Sequence, residues 1–467
     1  MTTEKSRPNV VFVLADDMGY GDFSAFNDGL SKTPTLDGLL DQGVCLTQHY
    51  SASPVCNPSR AAIMTGRYPH RTGSIDTLEW RGLERLALRE TTLAQVLKGA
   101  GYSTGLVGKW HLGAFDMRYH PNARGFDEAV CFRGGMHDYY KWRLEFNETV
   151  KRADGRYLTD VFTEEAVQFI ERHKNEPFFL HLTYNAPHTP LQAPEEEIKP
   201  FADTGKFNKG VSTIYAMIHR MDSGIARVLE TLEKHGLENN TLFIFTSDNG
   251  PQFGGKGEDS TTRFNCQYRG AKGLVYEGGI RLPGIVRWPD GLNGGRHMDE
   301  MAHFCDWFPT ILAAAGVEIP DHLKLDGVNI LPLLCCQKGK VETRRFWQWN
   351  RYTPLVTCNA AMRDGDWKLV RPRIREAMRV PPSDGKWLEV SMYNPEHFLE
   401  NGVIQEPDPP REVPPPSPPQ LFNIAEDPLE QEDLAEKYPD RARKMLGELE
   451  TWFEEVEAER ATIDDQW

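Results

Sequence analysis

Two short runs in this chain are apolar from end to end and stop on acidic residues. Val10–Ala15 runs into Asp16-Asp17, and "TLFIFTS" (241–247) runs into Asp248-Asn249. Ser103–Val107, Phe178–Thr183 and Gly284–Trp288 are further short strand candidates of the same kind. A strand without alternation is buried on both faces, which requires helices above and below the sheet. Helical patterns lie between these runs, at Thr91–Ala100, Thr159–His173 and Thr213–His235. The longest places Ile214, Met217, Met221, Ile225, Val228 and Leu232 near one face. Strands alternating with helices predict an α/β fold: a large, mostly parallel sheet sandwiched by helices.

The pattern changes after "LDGVNILPLL" (325–334). The stretch 344–372 reads as short strands around an Asp364-Gly365 turn, predicting a smaller antiparallel sheet. Residues 406–420 are proline-rich and extended, and an amphipathic helix follows from about Asp440 to Glu459. The division expected is a catalytic α/β domain over 1–340 and a small C-terminal subdomain over 341–467.

Charge and hydropathy narrow the partners. A net charge of −15 disfavours nucleic acid and means that an anionic ligand needs a local cluster of cations. The longest apolar runs fall far below the ~18 residues of a membrane span, so no membrane association is expected. Residues 1–8 lack the apolar stretch of a secretory leader. With Met1 as the native start the chain is expected in the cytoplasm; with a leader removed, in the periplasm or outside the cell. The eight cysteines show no disulfide-scaffold spacing, and the adjacent Cys335 and Cys336 read as reduced core thiols.

In open parallel sheets, ligands bind beyond the carboxyl ends of the strands. Those ends here carry Asp16-Asp17, Asp248-Asn249, Lys109 with His111, and His188. Three carboxylates together repel strongly: at an effective dielectric near 20, each like pair at 4 Å costs roughly 4 kcal/mol. Such a cluster protonates or binds a cation. The all-oxygen set, with Asn249 adding a carbonyl, suits Ca2+ or Mg2+ better than zinc.

"CNPSRAAIMTGR" (56–67) reads as a capped helix, with Asn57 as N-cap, Pro58 at the first helical position and Gly66 as stop. Cys56 then precedes a helix N-terminus, where it is either a structural thiol or a low-pKa thiolate nucleophile. Arg60 adds a charge one turn in, and Lys272 lies in the glycine-rich stretch 268–281. Candidate cleft residues are Asp76, Trp80 and Arg81 after this helix, His137 and Tyr139 in the aromatic patch 136–142, and Arg263.

Taken together these motifs resemble the type I sulfatases of the alkaline phosphatase superfamily, over nearly the whole chain. "CNPSRAAIMTGR" and "GYSTGLVGKWHLG" (101–113) resemble that family's two signatures; "LADDMGYGD", "TSDNGP", "YNAPHTP" and "LFNIAEDPLEQEDLA" are also similar to it. The resemblance implies an alkaline phosphatase-like fold and hydrolysis of sulfate monoesters of a sulfated small molecule or glycan. It implies that Cys56 is oxidised to Cα-formylglycine by a formylglycine-generating enzyme reading the Cys-x-Pro-x-Arg stretch. It further implies a divalent metal on Asp16, Asp17, Cys56, Asp248 and Asn249, with Arg60, Lys109 and Lys272 facing the sulfo group. His188 is then the acid for the departing alcohol, and His111 takes the proton that lets sulfate leave. The rival expectations are a phosphonate or phosphate ester hydrolase of the same superfamily, and a sulfated-glycan-binding protein without turnover.

Overall fold

The structure is a computed structural model that describes residues 7–254 and 259–464. Residues 1–6, part of the stretch inspected for a leader, lie outside the described residues. A ten-stranded sheet runs in the order Arg296–Met298, Val44–Leu46, Gly284–Arg287, Thr241–Ser247, Asn9–Ala15, Phe178–Thr183, Ser103–Lys109, Glu128–Phe132, Arg143–Phe146 and Thr149–Arg152. The five strands from Thr241–Ser247 to Glu128–Phe132 are mutually parallel. Gly284–Arg287, expected among the buried strands of a mostly parallel sheet, pairs antiparallel on both sides.

Alternation along the central strand divides the core in two. Val10, Phe12 and Leu14 point into one cluster, Val11, Val13 and Ala15 into the other. Helices Cys56–Thr65, Leu93–Gly99 and Trp307–Ala314 cover the first face; Pro34–Gln42, Leu158–His173 and Lys209–Lys234 cover the second. This two-sided burial is why the strands carry no polar alternation. Phe12 sits edge-on to His181 and Trp307 at centroid distances of 5.5 and 5.8 Å; its truncation to alanine costs about 3–5 kcal/mol.

A four-stranded antiparallel sheet follows, ordered Arg344–Gln348, Ala360–Asp364, Trp367–Arg371 and Gln420–Asn423. One of its faces joins the first cluster together with the terminal helix Pro439–Arg460. The other packs Trp347, Ala361, Val370 and Phe422 against Tyr50, Val275, Tyr276 and Ile280. This small sheet thus rests on the segment that immediately follows Lys272. No helix among the described residues is long and apolar enough to cross a membrane.

Two local expectations are corrected. The signature helix starts at Cys56, not after Asn57: extended Val55 is its N-cap, without a side-chain cap. Asn57 instead turns inward and donates from Nδ2 to the carbonyls of Glu84 (2.6 Å) and His111 (2.7 Å). Gly66 ends the helix at φ 69°, as the sequence indicates. Cys335 and Cys336 form no disulfide, but Cys335 is half-buried, with its Sγ donating to the Gly291 carbonyl, and Cys336 is exposed, because the short helix before them ends at the surface.

Candidate active site

The C-terminal ends of four parallel strands meet under the N-terminus of helix Cys56–Thr65. Asp16 and Asp17 follow the central strand, and Asp17 adopts φ 68°, a left-handed conformation that its surroundings must hold. Its backbone N–H donates to Asp248 Oδ1 at 3.2 Å, locking one strand end to the next. Asn249 Nδ2 donates to Asp17 Oδ1 at 2.7 Å. Asp16, Cys56 and Asp248 each offer one ligand atom within 4.8 Å of the others, as do Asp16, Asp17 and His188.

Three cations offset the three carboxylates. Arg60 donates from Nε and Nη2 to Asp248 Oδ2 at 3.0 and 2.7 Å, and from Nη1 to the Lys109 carbonyl at 3.0 Å. Lys109 Nζ lies 2.7 Å from Asp16 Oδ2, and Lys272 Nζ lies 2.8 Å from Asp17 Oδ1. All but Lys272 are fully buried. Burial, followed by the Asp248 charge, pushes Asp16 up to about 8. Burial also acts on Asp17, but Lys272 and His188 overcome it and hold that carboxyl below its usual range. Burial and then Lys272 push His188 down to about 3, and burial raises the Cys56 thiol, so a resting thiolate is disfavoured here.

The donor set fits a hard divalent cation. Asp16 Oδ1 and Asn249 Oδ1 are buried oxygens with no hydrogen-bond partner, beside two further carboxylates. Unpaired buried oxygens are costly unless a cation or water meets them.

A cavity of about 510 Å³ opens over Cys56. Its floor includes Cys56, His111, His188 and Lys272; Glu79, Gly135 and Phe253 form its sides, and Trp349, Arg351 and Arg373 of the C-terminal subdomain form its outer wall. Arg351 stacks on Trp349 at 5.0 Å and is held by Asp76 (2.8 Å) and Thr77 (2.7 Å).

None of the six expected cleft residues lines this cavity; each is engaged behind it. Asp76 supports Arg351 from below. Trp80 and Arg81 both donate to Asp384, at 3.3 and 2.5 Å. His137 packs on Phe132, and its Nε2 accepts from the Arg143 N–H at 2.7 Å. The Tyr139 hydroxyl donates to the carbonyls of Asn185 (2.7 Å) and His188 (2.9 Å), fixing the His188 loop. Arg263 grips Asp22 and the Asp17 carbonyl. The sequence reading missed Glu79, Trp349, Arg351 and Arg373, which belong to no recognisable motif.

The sulfatase family model matches residues 8–317, and the model for the C-terminal part of N-sulphoglucosamine sulphohydrolase matches residues 270–376. Arylsulfatase J of Mus musculus is 31% identical over 483 residues, covering 96% of this chain and 76% of its own. Steryl-sulfatase of Rattus norvegicus is 29% identical over 532 residues, covering 95% of this chain and 88% of its own. Among solved structures, Ps i-CgsB in complex with k-i-k-neocarrahexaose superposes with a TM-score of 0.79 at 30% identity, over 96% of this chain and 93% of that one.

Proposed function

The chain belongs to the sulfatase family and is a sulfuric ester hydrolase, and from that premise we propose that it removes a sulfate group from a carbohydrate. The single observation that carries this reading is the convergence of Asp16 and Asp248 on Cys56, with Asp17 hydrogen-bonded to Asp248 and Asn249 to Asp17, at the base of a cavity roomy enough for a saccharide. The oligosaccharide bound to the similar Ps i-CgsB favours a sugar over a phenol.

Asp16, Asp17, Asp248 and Asn249, with residue 56, would hold a Ca2+ or Mg2+ ion. Such an ion supplies Lewis acidity to the sulfo group. Cys56, oxidised to Cα-formylglycine by a formylglycine-generating enzyme, supplies a hydroxyl in place of the thiol. The rest is done by side chains as encoded. Arg60 and Lys109 balance the buried carboxylates, while Lys272, the part-exposed cation of the floor, faces the charge carried by the sulfo oxygens.

His188 donates from Nδ1 to the Thr189 carbonyl at 2.7 Å, which directs Nε2 at the cavity and makes it the atom that protonates the departing alcohol. Burial, and after it Lys272, lowers the affinity of this ring for a proton, so a proton it holds is readily given up. Sugar alkoxides are poor leaving groups, so this proton matters more for them than for phenols. His111 is the base that lets sulfate depart.

Sulfate released from defined sulfated mono- and oligosaccharides, set against aryl sulfate, aryl phosphate and phosphonate esters, tests the reading. The expected result is the highest kcat/KM on a sulfated saccharide. A preference for phosphonates or phosphates overturns it.

A further inference from the structure

His111 is the least supported of the buried titratable groups around Cys56. Its side chain is 1% exposed, its backbone sits at φ 56°, and neither Nδ1 nor Nε2 has a hydrogen-bond partner. A ring that must take up a proton in a dry pocket needs something to fix its tautomer and offset the new charge.

One carboxylate lies against it. Glu79, at the start of the short turn Glu79–Arg81, places Oε1 3.8 Å from His111 Nε2. The Gly135 N–H pins that same oxygen at 2.5 Å. Gly134 and Gly135 account for the closeness. A Cβ on Gly135 would lie 2.5 Å from His111 Cε1 and 3.0 Å from Glu79 Oε1, and one on Gly134 would lie 2.9 Å from Glu79 Oε2. Only a pair of glycines lets the backbone press against ring and carboxylate together. Burial pushes Glu79 up to about 7, against the Gly135 N–H that favours its charged form.

We propose that Glu79 is a positioning residue for His111: it accepts a hydrogen bond from Nε2–H, leaves Nδ1 as the base, and stabilises the imidazolium formed when Nδ1 takes its proton. The proposal rests on the sulfatase reading only for which half of the reaction it serves. At 3.8 Å the two atoms stand just beyond hydrogen-bond range, and contacts of this kind tighten as substrate binds. Atoms balance simply. The hydroxyl O–H bond breaks as its proton moves to Nδ1, and its electron pair forms the C=O bond of the aldehyde. The C–O bond to sulfate breaks and its pair leaves with sulfate, while the Nε2 proton stays on the ring facing Glu79.

The test uses Glu79→Gln, which preserves shape and keeps an oxygen for Gly135, beside Glu79→Asp. Nitrogen-15 NMR of histidine-labelled protein with unconverted Cys56 reads the tautomer without any turnover, with His111→Gln assigning the signal. The wild type is expected to show His111 protonated at Nε2 alone; E79Q shifts this balance and E79D restores part of it. In converted protein, E79Q is expected to lower kcat on the order of 10-fold or more. KM falls in proportion, kcat/KM is preserved, and a burst of aryl alcohol precedes sulfate release, because only the second half of the cycle slows. Unchanged nitrogen shifts in E79Q overturn the proposal. So does a fall in kcat/KM at constant KM, which is what a general distortion of the pocket produces. Converted wild type that releases no sulfate would instead sink the sulfatase reading and leave the tautomer result standing.

Discussion

The floor and the outer wall of the Cys56 cavity are built in opposite ways. The floor stands on the ends of strands buried on both faces, its carboxylates are fully buried, and each is tied to a cation or a backbone N–H. The wall comes from segments of the C-terminal subdomain. Arg351 there is 24% exposed and held through Asp76, and Arg373 is exposed. Rigid strand ends fix atoms to the precision that chemistry needs, whereas loops can change without disturbing the sheet. We propose from this comparison that the floor breaks the bond and the wall recognises the sugar; three perturbations test that division, and a fourth probes the core behind it.

The largest effect belongs to the floor. Asp248→Ala should lower kcat/KM on the order of 10³-fold. It should also cost about 3–5 kcal/mol in urea unfolding of the metal-free protein, because Arg60 is left buried without its main partner. Activity within about 10-fold of wild type would remove the floor from the chemistry.

Removal of the divalent ion comes next. Chelation should abolish turnover and lower stability by about 2.7 kcal/mol relative to ion supplied at 100 times its Kd. Calcium should restore both in wild type and neither in Asp16→Asn. Equal stabilisation of that variant would place the ion elsewhere.

At the wall, Arg351→Ala should cost about 10- to 100-fold in kcat/KM on the preferred saccharide, as for a lost charge-assisted hydrogen bond. Aryl sulfate turnover should stay within about 2-fold. Asp76 keeps the backbone N–H groups of Thr77 and Tyr352, so folding survives the change. A parallel loss on both substrates would erase the distinction between wall and floor.

The smallest effect lies outside the pocket. His49 accepts from Trp307 Nε1 at 3.0 Å through Nε2, and burial pushes it down to about 3. The unfolded chain binds this proton more readily than the folded one, so its contribution to stability is present above about pH 6.5 and is lost as pH falls toward 3. His49→Gln should therefore flatten the dependence of unfolding free energy on pH between about 6 and 4 by about 1.4 kcal/mol per unit. An unchanged slope would show that His49 is not held neutral.

The floor was readable in the sequence because a strand's end is also the next residue in the chain. Once "VVFVLA" and "TLFIFTS" are read as strands, Asp16, Asp17, Asp248 and Asn249 fall at their tips. Four of the five parallel strands were foreseen within two residues at each end, since buried β-runs carry their own boundaries, whereas Glu128–Phe132 was not. The wall was not readable in this way. Glu79, Trp349 and Arg351 reach the cavity along irregular paths that only the packed fold defines. Trp80, Arg81 and Tyr139 mark the converse: residues after the signature helix or in the aromatic patch read as cleft, but their polar atoms are satisfied one layer behind it. Asn57 misled for a related reason, because a side chain that suits a helix cap serves equally to tie two buried carbonyls.

The most direct test of the whole account is turnover measured against the fraction of chains converted at residue 56, the fraction taken from peptide mass spectrometry of preparations made with and without the modifying enzyme. Sulfate release should rise in proportion to conversion and extrapolate to nothing at zero conversion, with Cys56→Ala at that same baseline. Comparable turnover by unconverted protein or by C56A would contradict it.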